Sequence, residues 1–160
     1  MRKIACFAAP ALFAAALAAP LLAAGPRTPA PSPADVVRTR IAGLRELGAA
    51  FKNVSDGMRG DPQIILIQQS ARQIKNASNA MNGWFPAGSG PQRGIKTAAK
   101  PEIWTRAADF NTAKANFARQ ADAFQAAAAS GNVANIRSAF RQLGGTCKGC
   151  HDPFRVPEQN

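Results

Sequence analysis

The sequence has little with which to bind a metal ion. It holds one histidine, His151, and three cysteines, Cys6, Cys147 and Cys150. A closed structural zinc site takes about four sulfur or nitrogen ligands, and Cys147, Cys150 and His151 fall short of that. Nor does any segment alternate apolar and polar residues long enough to make a strand. A redox dithiol usually opens a helix that follows a strand, so the same lack tells against that use of the cysteines. Acidic side chains are scarce, 9 against 20 lysines and arginines. The basic residues are scattered singly, however, and form no run. Such charge solvates helix faces and attracts acidic partners or anionic surfaces; it is not the footprint of a nucleic-acid-binding protein.

What is present begins with a targeting pattern. Arg2 and Lys3 precede an apolar stretch from Ile4 to Ala24, and Ala23 and Ala24 supply small residues before a proline-rich segment. This reads as a secretory signal peptide over 1–24, cleaved after Ala24. Pro10 and Pro20 interrupt the run, which would span a membrane only marginally. Cys6 would leave with the peptide, so the mature protein, expected in the periplasm, would keep only Cys147 and Cys150. Loss of Arg2 and Lys3 would leave 18 basic against 9 acidic side chains. Residues 25–33 read as an extended proline-rich leader, and residues 34–160 as one domain of ordinary size.

Four helices are expected in that domain. Ser32 and Pro33 form a start signal, and Val37, Ile41, Leu44, Gly48, Phe51, Ser55 and Met58 recur at helical spacing until Gly60. Asp61 and Pro62 start a second helix, with Ile64, Ile67, Ala71, Ile74, Ser78 and Met81 inward until Gly83. Residues 84–100 form a loop. Pro101 opens a third helix, with Ile103, Ala107, Phe110, Phe117, Ala121, Phe124 and Ala128 on its buried face. Asn132 caps a fourth, whose stripe of Ile136, Phe140, Leu143, Cys147 and Cys150 runs into the C-terminus. Short connections give an all-α, antiparallel up-down-up-down bundle. In that topology the end of the fourth helix meets the start of the first, the end of the second and the start of the third. The expected lining is Arg40, Leu44, Met81, Trp84, Phe85, Ile103, Trp104 and Ala107, with the aromatic residues packing the site.

Cys147, Cys150 and His151 spell Cys-x-x-Cys-His, the attachment signature of c-type haem. Residues three apart share a helix face, so both thiols can bond one edge of a porphyrin while the adjacent histidine reaches the iron. One covalent haem c is the expected cofactor, with His151 as its axial ligand.

With "RIAGLRELGAAF", "WFPAGSGP", "AKPEIW" and "AFRQLGGTCKGCHDPFR" added, the chain resembles cytochrome c′, a four-helix-bundle class of c-type cytochromes, over essentially the whole mature domain. The resemblance implies that Arg40, Ile41, Leu44, Trp104 and Arg155 touch the haem, Arg40 at a propionate and Arg155 beside the proximal pocket. Pro153 cannot donate to the Gly149 carbonyl, so a kink or an end is expected there, which bears on where Arg155 falls.

In the family, the residue four after the matched arginine stands over the iron. Here that residue is Leu44, which has no lone pair to offer. Met58 lies about 21 Å further along the helix and reads as core. Met81 is at the correct end, and it supports an alternative: a low-spin His–Met electron carrier. The leading expectation is a five-coordinate, His-ligated haem protein that binds nitric oxide or carbon monoxide and carries single electrons to periplasmic redox proteins of acidic character. No general acid–base group is evident on the apolar distal face, which disfavours enzymatic turnover. The resemblance implies that relatives often dimerise through the first two helices; Val36, Leu47 and Val54 are too few to decide whether this chain does.

Overall fold

Ser32 starts the first helix through a reciprocal cap. Its hydroxyl accepts from the Asp35 N–H at 3.2 Å, and the Asp35 carboxylate accepts from the Ser32 N–H at 3.2 Å. Pro33 follows at the first helical position, where a missing N–H loses no intrahelical bond. Helix α1 runs Pro33–Gly57 in a computed structural model that describes residues 30–157. The expected signal peptide and most of the leader lie outside the described residues.

Gly60 turns the chain at φ 61°, and the Gln63 N–H bonds back to the Gly57 carbonyl at 2.8 Å. That bond completes the end of α1 and keeps Asp61 and Pro62 in the turn. Helix α2 therefore starts later than the sequence implied and runs Ile64–Ala80. A 3-10 turn, Met81–Gly83, leads into the expected loop. The third helix is broken in two: α3 is Glu102–Thr105 and α4 is Ala107–Ala129. Arg106, at φ −119° and ψ 49°, is the break. It turns Ala107 to the surface, although Ile103 and Phe110 stay buried. Asn132 caps α5, Val133–Phe154, by accepting from the Asn135 N–H at 3.0 Å.

The helices α1, α2, α4 and α5 make an antiparallel four-helix bundle. Gln68 bonds the Ala128 carbonyl and Lys75 pairs with Asp122, so α2 and α4 run in opposite directions. Phe124 on Phe140 and Phe110 on Phe154, with ring centroids 5.4 and 5.1 Å apart, show the same for α4 and α5. Val54, Ile67, Ala71, Ile74, Ala121, Phe124, Ile136 and Leu143 are fully buried between them. Each larger side chain in that set contributes roughly 1.5–3 kcal/mol by leaving water. No helix among the described residues is long and apolar enough to cross a membrane.

The stripe expected to bury α1 proves to be two neighbouring strips. Val37, Arg40, Ala50, Val54 and Gly57 face the core, while Leu44 is 37% exposed. The apolar period had picked out the flank that looks toward α5. Val54, weighed above as a surface residue for a dimer, is core.

Candidate functional site

The site lies where two walls of the bundle part. α1 packs on α2, α2 on α4 and α4 on α5, but α1 and α5 make no comparable pairing. They meet through side chains: Phe51 on Phe140 at 5.5 Å, and Arg137 donating to the Met58 carbonyl at 3.2 Å. From the phenylalanine pair, Leu44 is seven residues back along α1 and Cys147 seven residues on along α5. Both are about 10 Å of helix rise from the pair, so they stand at one height on opposite walls.

On α5 the thiols of Cys147 and Cys150 are half-buried and unpaired with each other. Burial pushes both up from the usual thiol value; for Cys150 the neighbouring Cys147 adds to this and Lys114 opposes it. His151 is exposed at the helix surface. What burial its ring has pushes it below the usual imidazole value, the charge of Arg155 pushes the same way, and Asp152 opposes. A neutral imidazole is the form that can ligate a metal.

The helix end expected at Pro153 falls one residue beyond it. Helical structure continues to Phe154, whose ring is buried against Phe110, and the Arg155 N–H bonds the His151 carbonyl at 2.9 Å. Two bonds from the loop hold this last turn: Lys100 Nζ donates to the Asp152 carbonyl and the Lys100 N–H to the Phe154 carbonyl, both at 3.0 Å. Arg155 itself is extended and bridges to Ala99, and it is half-buried one turn beyond His151.

Arg40 was expected in the lining, at a haem propionate. It is 1% exposed. Its guanidinium donates to the Trp84 carbonyl at 3.4 Å, the Ser89 carbonyl at 3.2 Å, the Ser89 hydroxyl at 3.3 Å and the Thr97 hydroxyl at 2.9 Å. It also lies 4.8 Å from the Phe85 ring centre and 5.9 Å from that of Trp104. All these acceptors are neutral, and no carboxylate pairs with Arg40 among the described residues. Burial alone pushes its pKa down. A buried cation without a counter-charge fits an anionic ligand group.

Trp104 Nε1 donates to the Pro86 carbonyl at 3.0 Å, fixing the loop from its other side. Ile41 is half-buried beside Arg40, and Met81 is 8% exposed in the main core. Ile103, Phe110 and Phe154 form a second apolar cluster that Phe85, Trp104 and Cys150 border. Ser89 and Thr97 escaped the sequence reading, because nothing local marks a hydroxyl as the partner of an arginine some fifty residues earlier. Taken together, a helix with two free thiols three residues apart, an adjacent imidazole, an exposed leucine on the facing wall and a buried cation suit a planar apolar group with acidic substituents, attached by thioether bonds.

A four-helix bundle with Cys-x-x-Cys-His near the end of its last helix defines a class of bundle-type c cytochromes. A family model described as Cytochrome C' matches residues 35–155. The chain belongs to the cytochrome c′ family. It is 34% identical over 128 residues to the cytochrome c' of Pararhodospirillum photometricum, covering 78% of this chain and 98% of that one. The crystal structure of cytochrome c' from Thermochromatium tepidum superposes with a TM-score of 0.75 at 27% identity, over 79% of this chain and 98% of that chain. A leucine-to-alanine variant of cytochrome c prime from Alcaligenes xylosoxidans, solved as its nitric oxide complex, gives 0.71 at 26% identity, over 79% and 97% of the two chains.

Proposed function

We propose that this chain is an exported haem protein that binds a small diatomic gas and passes single electrons. The haem would supply an iron able to take a gas at an open axial position and to change oxidation state by one electron. Cys147 and Cys150 would hold it covalently, His151 would ligate the iron, and Arg40 would neutralise a propionate. Arg155, whose charge already reaches His151, would favour the neutral imidazole. Residues 1–24 would direct export to the periplasm, where the surplus of basic side chains suits acidic redox partners.

Leu44 is the observation that carries this reading. A large apolar side chain stands exposed at the height of Cys147 on the facing wall, and it offers no lone pair. Such a wall gives water and anions no stabilisation, whereas a neutral diatomic loses little solvation on entering. Nitric oxide, the ligand in the Alcaligenes xylosoxidans complex, is of this kind. The His–Met alternative would need Met81 to leave the main core. An absorption spectrum of the ferrous protein with and without carbon monoxide tests the choice. The open site predicts a high-spin spectrum that shifts on adding the gas; a low-spin, inert spectrum would establish the electron-carrier alternative instead.

A further inference from the structure

We infer that Gly43 and Trp84 together set the height of the α1 turn that carries Leu44, and thereby tune access of a gas to the site. The inference rests on the open-site reading above. A Cβ added at Gly43 would lie 2.3 Å from Cζ2 of Trp84, 2.7 Å from Cη2 and 2.9 Å from Cε2. No real side chain tolerates such separations, so something would have to move. The indole is rigid and 8% exposed inside the main core, and it has nowhere easy to go.

Backbone conformation does not explain the glycine. Gly43 is not among the residues with positive φ, so any L-residue could adopt its helical backbone. Space explains it. Elsewhere on the helices, Gly48, Gly144, Gly145 and Gly149 have nothing within 4 Å of an added Cβ, and at Gly57 the nearest atom, Cγ1 of Ile67, is 3.3 Å away. The second seat of the same turn is Arg40, whose Nη1 donates to the Trp84 carbonyl at 3.4 Å. Residues 40–44 therefore rest on Trp84 at two points, ring and carbonyl. Leu44 follows Gly43 about 100° further round the helix, on the flank toward α5.

A methyl group at position 43 would overpack this seat. Since Trp84 belongs to the core, the relief is for the turn to lift outward from the bundle and withdraw Leu44 from the opposite wall. Gly43 and Trp84 would then act as positioning residues, through Leu44.

The test is carbon monoxide affinity of the ferrous holoprotein, read beside its thermal midpoint. Gly43→Ala should raise affinity by at least ~3-fold and lower the midpoint. Adding Trp84→Phe removes the benzo atoms that collide, so the double variant should return both values toward the parent. In a Leu44→Ala background, Gly43→Ala should add no further rise in affinity. A lower midpoint with unchanged affinity would leave Gly43 a merely structural residue and overturn the inference, as would failure of Trp84→Phe to restore both. Should Gly43→Ala not accumulate, Trp84→Phe alone should lower affinity by letting the turn settle inward, and an unchanged value there refutes the idea equally. A parent protein that takes no carbon monoxide would instead remove the open-site reading itself, and this inference with it.

Discussion

Replacing Arg40 by methionine removes a charge that the bundle buries completely while keeping much of the stem's bulk. Four oxygens lose a donor: the Trp84 and Ser89 carbonyls and the hydroxyls of Ser89 and Thr97. The hydroxyls keep other bonds, Ser89 Oγ donating to the Pro86 carbonyl at 2.8 Å and Thr97 Oγ1 accepting from the Ala99 N–H at 3.2 Å. Both carbonyls lose their guanidinium donor, and Ser89 is only 1% exposed, so water cannot readily replace it. A buried acceptor left without a partner costs about 1–3 kcal/mol. Loss of the buried cation's own desolvation gives part of that back, and a net destabilisation of about 3 kcal/mol follows. In a domain of this size that is a fall of about 10 °C in the thermal midpoint, followed by far-UV circular dichroism on the haem-loaded protein. Arg40→Lys should fall between the two, because an ammonium keeps the charge but cannot reach Ser89 and Thr97 together. A change below ~1 kcal/mol for the methionine variant would refute the reasoning, since stranded carbonyls would then be harmless. Full recovery by lysine would show that charge alone matters.

Acid acetone should leave the haem on the parent protein, and Cys147→Ala with Cys150→Ala should abolish covalent loading; pigment that extracts freely from the parent would end the attachment reading. Leu44→Met should convert the ferrous spectrum toward six-coordinate and low-spin, whereas Met81→Leu should leave it unchanged, since Met81 is packed in the core. Ser32, through its hydroxyl and then its N–H, holds the Asp35 carboxyl below the usual value. A depressed carboxylate stabilises the fold above its unfolded pKa, so this cap is complete at neutral pH and is lost as pH falls below about 4 through the folded value. Amide exchange in the first turn of α1 should quicken over that window, and Asp35→Asn should abolish the pH dependence.

The faces of α2, α4 and α5 were legible because each of those helices buries a single stripe, and its period is the helix's own. α1 misled because it has two jobs side by side: Ala50, Val54 and Gly57 serve the core while Leu44 and Phe51 line the opening. The break at Arg106 left no proline or glycine to mark it. Cys147, Cys150 and His151 could be named from local spacing alone. Arg40's burial could not, since its acceptors come 44, 49 and 57 residues later, from a loop without periodicity. Pro153 was judged by the bond it removes, and the helix ends one residue beyond it; the tertiary bonds of Lys100 that hold that end were invisible in the sequence.

Those same bonds fasten the two walls to each other. Thr97 is tied to α1 by Arg40 at 2.9 Å, and Lys100 is tied to the end of α5 through Phe154 at 3.0 Å. Only three peptide links separate the two anchor residues, and a chain that short spans at most about 10 Å when fully stretched. The mouth between α1 and α5 thus carries its own ruler: beyond the Phe51–Phe140 contact, its width is limited by chain length across Thr97–Lys100. One residue inserted in that stretch would lengthen the ruler by about 3.5 Å without altering a single side chain in the site.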